Sequence, residues 1–395
     1  MTTNMTESGH RPRCRARFNA ALGGGPPGAI PLMDLGYWDE TLKAWHEQGL
    51  PAHIDAKNSD AYFGLDGFMR YYACPEKTDG TGPVDRGMVT PGGWRIGLLP
   101  FFDEAVIEQD VETELVRVPD GTVVRRHRSR TALPSTESYT LVDRKSWEEH
   151  YVWRLNPDHP DRAPEHPDAF ETVASDNERA YPLILPGGSL YGWLRNWLGF
   201  EQISMLIYDD PAWLEEMVDR VCDCIVGVLQ RALRGGGTFD ACLIWEDMAY
   251  NAGPMVSPAT FKKLLSPRYR RITDTLRAGG VENIIVDSDG RIDDLIPLWL
   301  EAGVNTLMPI EIGTTGMDPV ALRKRFGPSL RMIGGIDKRI LWQPRDAIVA
   351  EIDRLTPLVQ AGGFIPCCDH KVPPEVALDD YRYFLDTARQ RWCDE

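Results

Sequence analysis

Beyond residue 181 the 395-residue chain repeats one pattern: a short apolar run, a loop carrying polar residues or glycine, then an amphipathic stretch. Apolar runs at 182–185, 241–245, 284–286, 306–310, 331–334 and 363–365 read as strands. Stretches at 190–198, 211–233, 258 onward, up to 302, 319–326, 345–360 and 378 onward read as helices. A helix between two strands returns the chain to its starting side, so consecutive strands run parallel. Five or more such units after a more divergent first half predict an α/β fold, a (β/α)8 TIM barrel rather than an open sheet.

Parallel strands all finish at one rim, so the residues that finish them are expected to share a pocket. Those residues are Glu246-Asp247 after Trp245, Asp287-Ser288-Asp289-Gly290 after Val286, and Glu311 after Ile310. Asp337 follows Gly334-Gly335-Ile336, and Asp369-His370 follows Cys367-Cys368. Convergent carboxylates with one imidazole shift one another's proton affinity, which suits proton transfer. The same set suits a divalent metal held by Asp287, Asp289 and His370. Asp289-Gly290 before Ile292 is also a helix N-cap pattern, in which case Asp287 faces the mouth. Cys367 and Cys368 are adjacent and diverge, so at most one faces the pocket.

Residues 1–28, rich in Arg, Gly and Pro, read as a flexible N-terminal arm, leaving 29–395 as the folded unit. Within it, 31–38 reads as a first strand that brings Asp34 and Tyr37 to the same mouth. Alternating β-branched and charged residues around Asp120-Gly121 predict an antiparallel β-hairpin insertion over about 95–142. That insertion is placed to act as a lid or to carry a homodimer contact. Tyr191 and Trp193 open a helix and either line the pocket or fill the core.

A formal charge of -16 excludes a nucleic-acid surface, which needs clustered Lys and Arg. There is no run of about 18 apolar residues and no apolar signal core near the start, so the expectation is a cytoplasmic chain without a membrane span. Eight scattered cysteines form no paired framework, so no disulfide scaffold is expected.

Three pieces carry a resemblance: Leu295-Ile296-Pro297-Leu298-Trp299-Leu300-Glu301-Ala302-Gly303, Gly334-Gly335-Ile336-Asp337, and His370-Lys371-Val372-Pro373-Pro374. Weaker pieces lie at 187–193, 30–36 and 252–258. Together they resemble the uroporphyrinogen decarboxylase (URO-D) superfamily, which includes cobalamin-dependent methyltransferases. The resemblance implies a (β/α)8 barrel with its site at the C-terminal mouth. It also implies that His370 matches the decarboxylase histidine and Tyr191 a pocket tyrosine, while Asp247 stands where a serine is expected.

Two departures from the family bear on function. The two arginines that grip substrate carboxylates after the first strand are absent from Met33-Asp34-Leu35-Gly36-Tyr37-Trp38, which argues against a propionate-decorated tetrapyrrole. Where the methyltransferase branch holds zinc with His-x-Cys and a later Cys, this chain has Asp287-Ser288-Asp289 and His370, a harder donor set.

The leading expectation is a decarboxylase acting on a small carboxylated substrate other than uroporphyrinogen. In it His370 with Asp287 or Asp247 handles protons and Tyr191 positions the substrate. Asp34, Tyr37, Trp193, Glu246, Glu311 and Asp337 line the mouth. The alternatives are a metal-assisted methyltransferase working with a corrinoid protein, and a barrel that binds a small molecule without catalysis.

Overall fold

The computed structural model describes residues 14–66, 94–128, 134–163, 179, 181–235 and 237–393. Its centre is a parallel six-stranded sheet in the order β12-β11-β10-β9-β6-β5. The strands are β5 (Ile184–Pro186), β6 (Ala241–Trp245), β9 (Asn283–Asp287), β10 (Thr306–Ile310), β11 (Arg331–Ile336) and β12 (Phe364–Cys368). Residues along β10 and β12 are buried throughout, as in sheets covered on both faces. The covering helices include Pro211–Arg234, Ser266–Ala278, Arg345–Ala361 and Leu378–Trp392. Each buries one apolar face; Pro211–Arg234 turns Met217, Val221, Cys224, Ile225 and Val228 inward.

Register fixes what meets at the rim. Trp245 of β6 pairs with Asp287 of β9, which pairs with Met308 of β10. On the far side Ile336 of β11 pairs with Cys368 of β12. Residues immediately beyond these positions therefore emerge together.

Residues 31–38 do not form the expected first strand. They meet the loop after β12 through one parallel bridge, Tyr37 to Val372. Val372 N donates to Gly36 O at 2.9 Å. The helix α1 (Cys14–Leu22) replaces most of the described part of the expected arm, and residues 1–13 lie outside the described residues. Phe18, Ala21 and Leu22 are buried, and Gly363 N at the start of β12 donates to Ala21 O at 2.6 Å. A buried acid completes this attachment. Asp240, just before β6, accepts from Arg15 Nε at 2.8 Å, Asn19 Nδ2 at 2.7 Å, Arg179 at 2.6 Å and Leu183 N at 2.8 Å. The helix thus sits against the end of the sheet opposite the acidic strand ends.

The antiparallel insertion expected over 95–142 is a four-stranded antiparallel sheet, apart from residues 129–133, which lie outside the described residues. Its strands are β1 (Ala105–Gln109), β2 (Thr113–Arg117), β3 (Val123–His127) and β4 (Ser135–Ser138). The Asp120-Gly121 turn joins β2 to β3 as expected, and Val118 N donates to Thr122 O at 2.9 Å. The flanking strands β1 and β4 are nearly all exposed and show no alternation of burial, so the alternating pattern belongs to the central pair. No helix among the described residues is long and apolar enough to cross a membrane. Cys14, Cys222, Cys224, Cys242, Cys367 and Cys368 are free thiols.

Candidate acidic site at the strand ends

The carboxyl groups at the strand ends divide into two kinds. Glu246, fully buried, is occupied by protein donors. Its oxygens accept from Ser189 Oγ, Leu190 N, Tyr191 N and Gly192 N at 2.9 Å and from the Tyr269 hydroxyl at 2.6 Å. A Cβ on Gly192 would lie 2.5 Å from Glu246 O, so only glycine lets the loop close on it. Asp369, also fully buried, accepts from Ile312 N at 3.1 Å, Gly313 N at 2.8 Å and both Lys338 nitrogens, N at 3.2 Å and Nζ at 3.1 Å. Glu311 is buried and accepts from Gly290 N at 2.8 Å; burial pushes its carboxyl up. These three hold the rim loops in place.

Asp247, Asp287 and Asp289 are the second kind. Each is half-buried, and each offers a carboxylate oxygen within 4.8 Å of the other two. Asp247 sits at φ 46°, the left-handed region, and is the one described non-glycine residue with positive φ. Glu246 N donates to Asp287 O at 2.8 Å, tying the two strand ends together beneath the cluster. Burial raises the proton affinity of Asp247, and the Asp289 charge adds to the rise; Arg195 and His370 oppose it. Three carboxylates this close cannot all ionise cheaply without a proton or a cation among them.

His370 completes the arrangement from the opposite side. Its Nε2 lies 3.5 Å from Asp289 Oδ2. Its ring stacks on Trp38 with centroids 5.8 Å apart, and Lys371 Nζ stands 4.7 Å from the same indole. Asp289 does not cap a helix as the sequence allowed. The following helix starts at Ile296, and Asp289 N instead donates to Asp247 Oδ1 at 3.3 Å. Gly290, at φ 87°, has no room for a Cβ, which would lie 2.5 Å from Ala249 O.

Other expected site residues fall elsewhere. Trp193 is core, stacked on Trp197 at 6.0 Å, and Asp337 is engaged by Arg339 with a shortest contact of 2.7 Å. Tyr37 is buried, its hydroxyl 3.0 Å from that of Tyr381. Tyr381 in turn donates to Asp34 Oδ2 at 3.0 Å, and Leu35 N to Asp34 Oδ1 at 2.9 Å. Asp34 keeps some exposure but is closely packed by these groups and Cys368. Burial pushes its carboxyl up to about 7 against those hydrogen bonds. Cys367 and Cys368 are buried, and burial pushes both thiols well up, so neither is a ready nucleophile.

Sequence reasoning passed over Arg195. It lies four residues after Tyr191, on the helix Gly192–Leu198, with its guanidinium 5.6 Å from the Trp245 ring. The spacing i, i+4 was the available signal that the two residues share a face. Trp38 was likewise missed, next to Tyr37.

The sequence family described as uroporphyrinogen decarboxylase (URO-D) matches residues 130–391, well over half of the chain. A uroporphyrinogen decarboxylase of Alcanivorax borkumensis is 24% identical over 205 residues, 48% of this chain and 52% of that protein. The chain thus spans about half the length of the curated relative it matches. A methyltransferase from Methanosarcina mazei has a similar fold, with TM-score 0.55 and 12% identity over 96% of this chain and 98% of that one. The family match, covering β5 through the last helix and every acid of the cluster, identifies the chain as a member of the uroporphyrinogen decarboxylase (URO-D) family.

Proposed function

We propose that this chain is a metal-assisted methyltransferase of the family, with a (β/α)8 barrel fold in which residues 31–38 help to complete the ring begun by the six parallel strands. The observation that carries the reading is the convergence of Asp247, Asp287 and Asp289. Hard oxygen donors with a nearby imidazole fit a cation such as Mn²⁺ or Mg²⁺ better than the thiolate-bound zinc of the methyltransferase branch. Asp247, Asp287 and Asp289 would hold it, with His370 beside them. Such an ion, when bound, polarises an oxygen of the substrate.

The chain's own residues do the rest. Glu246 and Asp369 fix the loops so that the cluster is assembled before substrate arrives. Trp38 holds the His370 ring against Asp289, where it takes or returns a proton. The methyl group would be exchanged with a corrinoid carried by a partner protein.

One observation favours decarboxylation as a second reading. Asp34, which burial pushes up to about 7, is held in part as the carboxylic acid at neutrality and would supply that proton to the carbon that loses carbon dioxide. Two assays separate the readings. Mn²⁺-dependent transfer of the methyl group of methylcob(III)alamin to an added phenolate, read as the methyl–cobalt absorbance giving way to that of cob(I)alamin and abolished by Asp287→Asn, supports methyl transfer. Metal-independent release of carbon dioxide from a panel of small carboxylic acids, abolished by Asp34→Asn, supports decarboxylation. Neither activity with folded protein rejects both and leaves a binding barrel.

A further inference from the structure

A cation and a hydroxyl stand together beside the acidic cluster without the partner such groups usually have. Arg195 is half-buried, and among the described residues no carboxylate lies within ion-pair distance of it. Its contacts are weak or neutral: Glu246 O at 3.3 Å, Asn196 Oδ1 at 3.2 Å and Met255 Sδ at 3.8 Å. The guanidinium fork therefore retains donor capacity for a carboxylate, which it grips in two parallel hydrogen bonds. Tyr191 is 2% exposed, and its hydroxyl has no hydrogen-bond partner. Leaving a buried hydroxyl unpaired costs stability, a cost a ligand oxygen would remove. Burial pushes that hydroxyl up to about 12, with Arg195 close enough to pull it back.

The surroundings describe the rest of the ligand. Trp245 lies beneath the guanidinium at 5.6 Å. Tyr250, on the short hairpin of β7 (Ala249–Tyr250) and β8 (Gly253–Pro254), is 53% exposed and packs edge-on against the exposed ring of Phe200 at 5.6 Å. Tyr250 is also close enough to Tyr191 to act on its hydroxyl electrostatically. Flat rings next to an unpaired guanidinium suit a flat anion, which stacks with one part and is gripped at the other.

We propose that Arg195 and Tyr191 form a carboxylate-binding subsite that selects an aromatic acid, with its ring between Trp245 and Tyr250 and its remaining substituents toward Asp247. The proposal rests on the reading of this rim as the substrate site. It also bears on which bond reacts. A carboxylate held by Arg195 is stabilised in its charged form, so it is the group that stays on the product rather than one that departs as carbon dioxide.

Isothermal titration of metal-free, full-length protein with benzoate, benzamide and acetate tests the subsite without turnover. Wild type is expected to bind benzoate at least ten-fold more tightly than benzamide or acetate. Arg195→Gln should remove the preference for benzoate over benzamide, Arg195→Lys should keep part of it, and Tyr191→Phe should weaken benzoate several-fold with little change for benzamide. No benzoate binding by wild type, equal affinity for acid and amide, or unchanged benzoate affinity in folded Arg195→Gln or Arg195→Lys protein would each overturn it. Because the protein is metal-free, such a failure is separate from failure of the metal reading.

Discussion

Glu246, Glu311 and Asp369 accept hydrogen bonds from backbone N–H groups of neighbouring loops, whereas Asp247, Asp287 and Asp289 bring their carboxylates together. The left-handed backbone at Asp247 costs about 1 kcal/mol relative to glycine and is kept at the residue that brings its carboxylate into the cluster. Asp247→Gly is therefore expected to raise stability by about 1 kcal/mol in denaturant titration, while Mn²⁺ affinity falls at least ten-fold. Loss of stability would show that the strain has no functional origin. Asp34 gives a pH signature. Its folded proton affinity, about 7, exceeds the ordinary 3.8, so the folded state binds more protons. Its contribution to stability is then full below 3.8 and is lost as pH rises through about 7. Asp34→Asn should flatten the stability profile over that window; an unchanged slope would place the titration elsewhere. The acids were legible as strand-end residues. Which of them were already occupied was not, because Glu246 is satisfied by a loop more than fifty residues earlier in the chain.

At the scale of elements, β6, β9, β10, β11 and β12 match the apolar runs closely, because strands buried on both faces give unbroken apolar stretches. The helix Phe200–Asp209 was not legible: Phe200, Met205 and Tyr208 are exposed while Ile203 and Leu206 are buried, so its apolar residues mark no single face. The helix α1 was hidden for another reason. Its arginines resemble those of a solvated arm, yet Arg15 and Arg17 pair with Asp240 and Asp66. Breaking such a buried pair costs about 3–5 kcal/mol. Asp240→Ala should lose that amount in denaturant titration, with α1 the first segment to exchange its amide hydrogens; a loss below about 1 kcal/mol would mean that α1 is held by its apolar face alone. Burial works to raise the Asp240 carboxyl, but the hydrogen bonds from Asn19, Leu183, Arg15 and Arg179 outweigh it and hold the group below its ordinary value. Its stabilisation is thus present above 3.8 and lost as pH falls through the lowered folded value.

For the whole molecule, the parallel sheet brings its strand ends to one acidic rim, where the proposed site lies. The opposite end is closed by α1, so structural and functional demands are separated along the strands. The central claim, that the rim is a hard-cation site, is tested most directly by calorimetric titration of Mn²⁺ into metal-free protein, comparing wild type with Asp287→Asn and Asp289→Asn. The account predicts one equivalent bound by wild type and at least a ten-fold loss of affinity in each variant. No binding by wild type, or equal affinity in all three proteins, would contradict it.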